Sequence, residues 1–127
     1  MESYRPRVIL SAAISLDGKL ATRTGDSKLS SQRDKIRVHK LRSRFDAILV
    51  GKNTVEIDDP LLAVQGIKGK NPVRVILDSR ATIRASSKIL RTCSEIPTII
   101  AVSKMAKKKN LEKLKKFPVV VKVCGNN

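Results

Sequence analysis

Tryptophan is absent from this chain, and Tyr4, Phe45 and Phe117 are its whole aromatic content. A core without large rings has to be assembled from Val, Ile, Leu and Ala, which a 127-residue single domain with 41% hydrophobic residues can supply. The same scarcity disfavours a single-stranded nucleic-acid binder, which interleaves its basic groups with stacking rings. Cysteine is equally sparse. Cys93 and Cys124 stand alone, with no CxxC and no histidine nearby in sequence, so no zinc site and no disulfide framework is expected and both read as buried thiols. No stretch approaches the roughly 18 consecutive apolar residues of a membrane span. The amino terminus, MESYRPRVIL, lacks the apolar block of a signal peptide, and the expectation is a cytoplasmic chain with no membrane partner. Acidic residues are few, 11 against 27 Lys and Arg, which leaves a formal charge of +16. That charge favours an anionic partner without choosing among nucleic acid, acidic membrane and a phosphorylated small molecule.

What is present is an alternation of apolar runs and amphipathic stretches. RVILSAAI (7–14), DAILV (46–50), VRVILD (73–78), TIIAV (98–102) and VVVKV (119–123) are short and rich in β-branched residues. They are apolar on both faces, as strands of a covered, largely parallel sheet are. Asp17 and Gly18 form a turn signal after the first run. Ser31 and Asp34 resemble a capping box, and Ile36, Val38, Leu41 and Phe45 give a helical stripe over about 31–44. A second stripe of Leu111, Leu114 and Phe117 runs through the lysine-rich segment 104–117. The class is α/β.

In such sheets ligands bind beyond the carboxyl ends of the strands. The run ILVGKNTVEIDDP (48–60) therefore draws attention. Gly51 stands where the strand should stop, either to let the chain turn sharply or to leave room for a ligand. Lys52 adds a charge, and Thr54 would offer a hydroxyl and an N–H in the first turn of a short helix.

Four segments, SAAISLDGKLA (11–21), GDSKLSS (25–31), KLRSRFDAILVGKNTVEIDDPLL (40–62) and NPVRVILDSRA (71–81), resemble in order and spacing the pyrimidine reductases of riboflavin biosynthesis, most nearly the archaeal type. The resemblance implies a dihydrofolate reductase-like fold with a mostly parallel central sheet flanked by helices. It implies reduction by NADPH of the ribosyl group of a 5′-phosphoribosylamino-pyrimidine to the ribityl form, and a homodimer. It implies cofactor contacts at Ala13, Leu29, Thr54, Asp58 and Ser79, to which the residues themselves add Gly51, Lys52 and Arg80. Ser27, Arg42 and Leu62 match substrate-binding positions. Gln65 departs from the pattern, since related bacterial chains often place an arginine there, and Lys68 or Lys70 is a candidate substitute. Family members continue past the point where this chain stops, at VCGNN, so residues 1–127 are expected to be a reductase domain lacking its carboxyl-terminal portion.

Several of these positions also have plainer roles. Asp58 and Asp59 before Pro60 could cap and end a short helix, and paired carboxylates would repel an adjacent polyphosphate. His39, the only histidine, sits in a basic helix and reads as a surface residue. The hydride comes from the cofactor and the protein orients it, so no side chain is singled out as a general acid and no metal is expected. The rival readings are a basic nucleic-acid-binding domain and a noncatalytic reductase-like subunit.

Overall fold

The computed structural model describes residues 4–12, 14, 16–19 and 31–125. The chain divides into two compact units, Met1–Val38 and His39–Asn127.

Four of the five expected strands form. They are β1 (Ala47–Gly51), β2 (Val73–Leu77), β3 (Thr98–Val102) and β4 (Val120–Val123), all parallel and in the spatial order β1-β2-β3-β4. The connections run through α2 (Lys52–Asp58), α3 (Lys88–Arg91) and α4 (Lys108–Leu114). Parallel strands laid down in sequence order by right-handed crossovers carry every connecting helix on one face. The packing follows that rule. Val55 of α2, Ile89 and Leu90 of α3 and Leu114 of α4 share one core with Ile76, Ile100 and Val102, and Ile48, Val50 and Val121 pack against it.

Among the described residues the opposite face is partly exposed, whereas strands covered on both sides were expected. Leu49, Val75, Ile99 and Val120 are aligned across it by the register, and Leu49 is 59% exposed and Val120 50%. The connecting helices α2, α3 and α4 lie on the other face, and strand composition alone cannot reveal which face that is.

The run 7–14 was expected as a strand, but its described residues form none. They pair with no described strand, and Val8 and Leu10 are almost fully exposed. A strand exists only as part of a ladder, so β-branched composition does not by itself make one. The expected turn does form, with Gly18 in the left-handed region at φ +83°.

Helix α1 (Gln32–Ser43) matches the segment expected. Its first turn is capped as the sequence suggests, the Asp34 N–H donating to Ser31 Oγ at 3.2 Å, while the Asp34 carboxylate pairs with Arg37 at 2.9 Å. The apolar stripe is not buried, because Arg33, Lys35, Arg37, Lys40 and Arg42 surround it and leave too narrow a seam. α4 is shorter than the 104–117 stretch, with Leu114 as its buried residue and Leu111 and Phe117 at the margin of the core. Cys93 is buried as expected, but Cys124, at the end of edge strand β4, is exposed. Among the described residues no helix is long and apolar enough to cross a membrane.

Arg74 of β2 is fully buried, and among the described residues no carboxylate forms an ion pair with it. Its guanidinium donates to the carbonyls of Leu61 and Ile89 and to the hydroxyls of Thr92 and Thr98, at 2.8 to 3.1 Å. Burial pushes its pKa down, and the carbonyls and hydroxyls around the guanidinium compensate the charge. The side chain ties the segment before β2, the helix after it and strand β3 to one point.

Candidate functional site

Gly51 and Leu77 are register partners, so the chain leaves β1 and β2 at the same edge of the sheet. After β1 it enters α2 at once. After β2 it makes a tight turn, closed by the Ala81 N–H on the Asp78 carbonyl at 3.0 Å, with Ala81 left-handed at φ +58°. The turn is held from behind. Ser103 donates to the Ser79 carbonyl through both its N–H and its hydroxyl, each at 3.0 Å, and the Asn110 amide reaches the Arg80 carbonyl at 3.3 Å. The side chains of Ser79 and Arg80 stay exposed.

Between the two loops lies a cleft of about 310 Å³. Gly51, Lys52 and Asn53 line one wall, and Leu77, Asp78, Ser79, Arg80 and Thr82 the other. Lys52 Nζ donates to Thr82 Oγ1 at 3.2 Å across the gap. Asp78, although it lines the cleft, turns its carboxylate inward: Oδ2 accepts the Ile83 N–H at 2.8 Å and Oδ1 lies 3.4 Å from the Thr82 hydroxyl. Cations and hydroxyls thus face the opening while the one acid is tied into the turn, an arrangement suited to an anionic oxygen cluster.

Four of the residues singled out from the sequence, Gly51, Lys52, Ser79 and Arg80, meet in this cleft. Gly51 is not there to bend the chain, because its φ of −83° suits any residue. A Cβ at Gly51 would meet no heavy atom within 4 Å, so the position is open. Thr54 stands exposed in the first turn of α2 but outside the lining of the cleft, and Asp58 is exposed at the end of that helix. Asp59 ends α2 in the left-handed region at φ 42° and accepts the Lys88 N–H at the start of α3 at 2.9 Å, so the plainer capping role holds for it. Ala13, Ser27 and Leu29 lie outside the described residues.

A second group forms around residues 62–65. Arg42 Nη1 donates to the Ala63 carbonyl at 3.3 Å, next to Leu62, which is buried and left-handed at φ 56°. Arg42 Nε is buried without a partner among the described residues, and burial lowers the pKa of the guanidinium. His39 is not a free surface residue. Its Nδ1 lies 3.1 Å from the Ala63 carbonyl and 3.2 Å from the Gln65 nitrogen, and the tautomer sets which of the two it bonds.

Sequence reasoning missed Asn53 and Thr82. Asn53 sat unremarked between two residues that were chosen. Thr82 gives no local signal, because its partner Lys52 is 30 residues away. Among the described residues no group of three or more His, Cys, Asp or Glu could hold a metal ion.

Comparison with known proteins gives this geometry a family context. The chain is 48% identical over 120 residues to the 2,5-diamino-6-ribosylamino-4(3H)-pyrimidinone 5′-phosphate reductase of Methanothermobacter thermautotrophicus, covering 92% of this chain and 55% of that protein. It is 42% identical over 127 residues to the protein of the same name from Aquifex aeolicus, covering 96% and 56%. The chain thus spans about half the length of these curated relatives. Among solved structures, RibD of Acinetobacter baumannii superposes with a TM-score of 0.72 at 27% identity, over 90% of this chain and 32% of that one, which bears out the α/β fold expected from the resemblance. The sequence pattern of the RibD C-terminal domain matches residues 6–125, and the chain therefore belongs to that family.

Proposed function

We propose that the protein containing this chain is the NADPH-dependent pyrimidine reductase of riboflavin biosynthesis, acting on a 5′-phosphoribosylamino-pyrimidine. The observation that carries the reading is the cleft at the carboxyl ends of β1 and β2, where Lys52 and Arg80 stand with Ser79 while Asp78 is drawn into its own turn. Two cations and a hydroxyl suit the phosphorylated ribose of NADPH, and the one acid that lines this cleft, Asp78, is engaged by its own turn instead of standing free for a ribose 2′-hydroxyl as an NADH site needs. The cofactor, when bound, supplies the hydride that reduces C1′ of the ring-opened ribosylamine.

The tasks left to this chain are binding and orientation. Lys52, Ser79 and Arg80 would hold the adenosine end of the cofactor. Thr54 and Asp58 would contact it farther along α2, as the resemblance of the segment 40–62 implies. Arg42 is suited to the substrate phosphate: its buried Nε, without a partner among the described residues, and its lowered pKa describe a cation short of an anion. Leu62, held next to the Ala63 carbonyl on which Arg42 rests, would pack against the pyrimidine end. We take the working form to be a homodimer in the cytoplasm.

The test is NADPH fluorescence titration of the intact protein at low and moderate salt, beside an oligonucleotide titration. Saturable, stoichiometric NADPH binding and reduction of the ribosylamino-pyrimidine phosphate are expected. Oligonucleotide affinity that collapses with salt, without NADPH binding, would favour a basic nucleic-acid-binding domain instead.

A further inference from the structure

Lys52 carries a flexible four-carbon stem, and an exposed lysine normally samples many rotamers. Here it is tethered. Its Nζ donates to Thr82 Oγ1 at 3.2 Å, and the Thr82 hydroxyl leans on Asp78 Oδ1 at a long 3.4 Å. The donor count is consistent along the chain. The ammonium has three hydrogens and gives one to Thr82, while the hydroxyl accepts that hydrogen and has one of its own for the carboxylate. Asp78 is 2% exposed and held on its other oxygen by the Ile83 N–H, so it cannot swing out to meet the lysine. Thr82 therefore works as a spacer. It keeps the ammonium at the cleft without letting it collapse into a direct ion pair with Asp78, and it leaves two N–H groups for a ligand.

We infer that Thr82 is a positioning residue for selection of the 2′-phosphorylated cofactor, acting through Lys52 on the anion in the cleft. The inference rests on the proposed NADPH-dependent function. Its chemistry is specific to the phosphate. A 2′-phosphate brings about two negative charges near neutral pH and needs a cation in a set place, whereas a ribose hydroxyl does not. Removing the Thr82 hydroxyl should therefore weaken one class of ligand and spare the other. The methyl group of Thr82 has no part in this, so serine should serve as well.

The experiment is titration calorimetry of the intact protein with adenosine 2′,5′-bisphosphate and with adenosine 5′-monophosphate, for the unmodified protein and for Lys52→Met, Thr82→Val, Thr82→Ala and Thr82→Ser, with melting temperatures recorded alongside. The unmodified protein should prefer the bisphosphate. Lys52→Met, Thr82→Val and Thr82→Ala should each lose about tenfold in bisphosphate affinity, the equivalent of one charge-assisted contact, with the monophosphate changed less than about twofold. Thr82→Ser should restore the preference. Equal binding of both probes by the unmodified protein would remove the NADPH reading and this inference together. A preference that disappears in Lys52→Met but survives in Thr82→Val and Thr82→Ala would leave the function standing and overturn the role of Thr82. So would equal weakening of both probes, or failure of serine to rescue, since either marks a packing effect.

Discussion

Asp78 and Ile83 are joined across the turn after β2, the Ile83 N–H donating to Asp78 Oδ2 at 2.8 Å. With Asp78 2% exposed, the acid at the end of this strand serves the loop itself. In sheets of this class an acid at the end of a strand can hold the ribose hydroxyls of NADH, and here the carboxylate is engaged elsewhere.

Asp78→Ala should accordingly act on stability before specificity. It leaves the buried Ile83 N–H without an acceptor, which costs about 1–3 kcal/mol. Asp78→Asn keeps an acceptor oxygen and should lose less. Urea unfolding of the two variants checks this, and a loss in Asp78→Asn as large as in Asp78→Ala would show that charge rather than the hydrogen bond is what matters.

Arg74→Lys should be far from conservative. A lysine cannot reproduce the fork that meets Leu61, Ile89, Thr92 and Thr98 together, and at least two buried acceptors would be left unpaired. We expect a loss of about 2–4 kcal/mol in denaturant unfolding. A change under about 0.5 kcal/mol would mean that the acceptors find water or new donors.

The one-sided sheet makes a paired prediction for this 127-residue chain. Ile76→Ala, on the helix-covered face, should cost about 2–5 kcal/mol, while Leu49→Ala, on the open face, should stay within about 0.5 kcal/mol. Chemical denaturation of both variants compares the two faces directly, and equal losses would show that the Leu49 face is covered.

Gly69 lies against the last residue of α1, and a Cβ built on it would stand 2.6 Å from Ser43 Cβ. Gly69→Ala must push the helix end or the loop aside, at a cost of about 1–3 kcal/mol. Thermal unfolding should show the loss. An unchanged melting temperature would mean that the loop shifts freely.

Arg42→Gln tests the substrate side. The variant removes the charge while keeping a donor near the Ala63 carbonyl, so KM for the ribosylamino-pyrimidine phosphate should rise about tenfold or more with NADPH affinity unchanged. Equal damage to both ligands in steady-state kinetics would assign Arg42 to the architecture of the loop.

The elements most legible in the sequence are those whose signal is local. Runs such as VRVILD and TIIAV became β2 and β3 because β-branched residues between turn signals describe a strand without reference to anything distant. The same holds for α1 with its Ser31 cap, for the turn at Gly18, and for Lys52 following β1 directly into the cleft. RVILSAAI carries an equally strong local signal, yet its described residues form no strand, since a ladder needs a second edge that composition does not specify.

From the sequence alone came the α/β class, four of the strands and the loop that carries Gly51 and Lys52. Tertiary structure decided which face of the sheet is closed, that the Arg74 side chain is fully buried, that Asp78 turns inward, and that Thr82 meets Lys52. The division has a physical cause. Periodicity and capping act over a few residues and are written into neighbouring side chains. Burial and side-chain pairing depend on strand order and on the side to which each crossover returns, which bring together groups as far apart as Lys52 and Thr82 only when the whole sheet has formed.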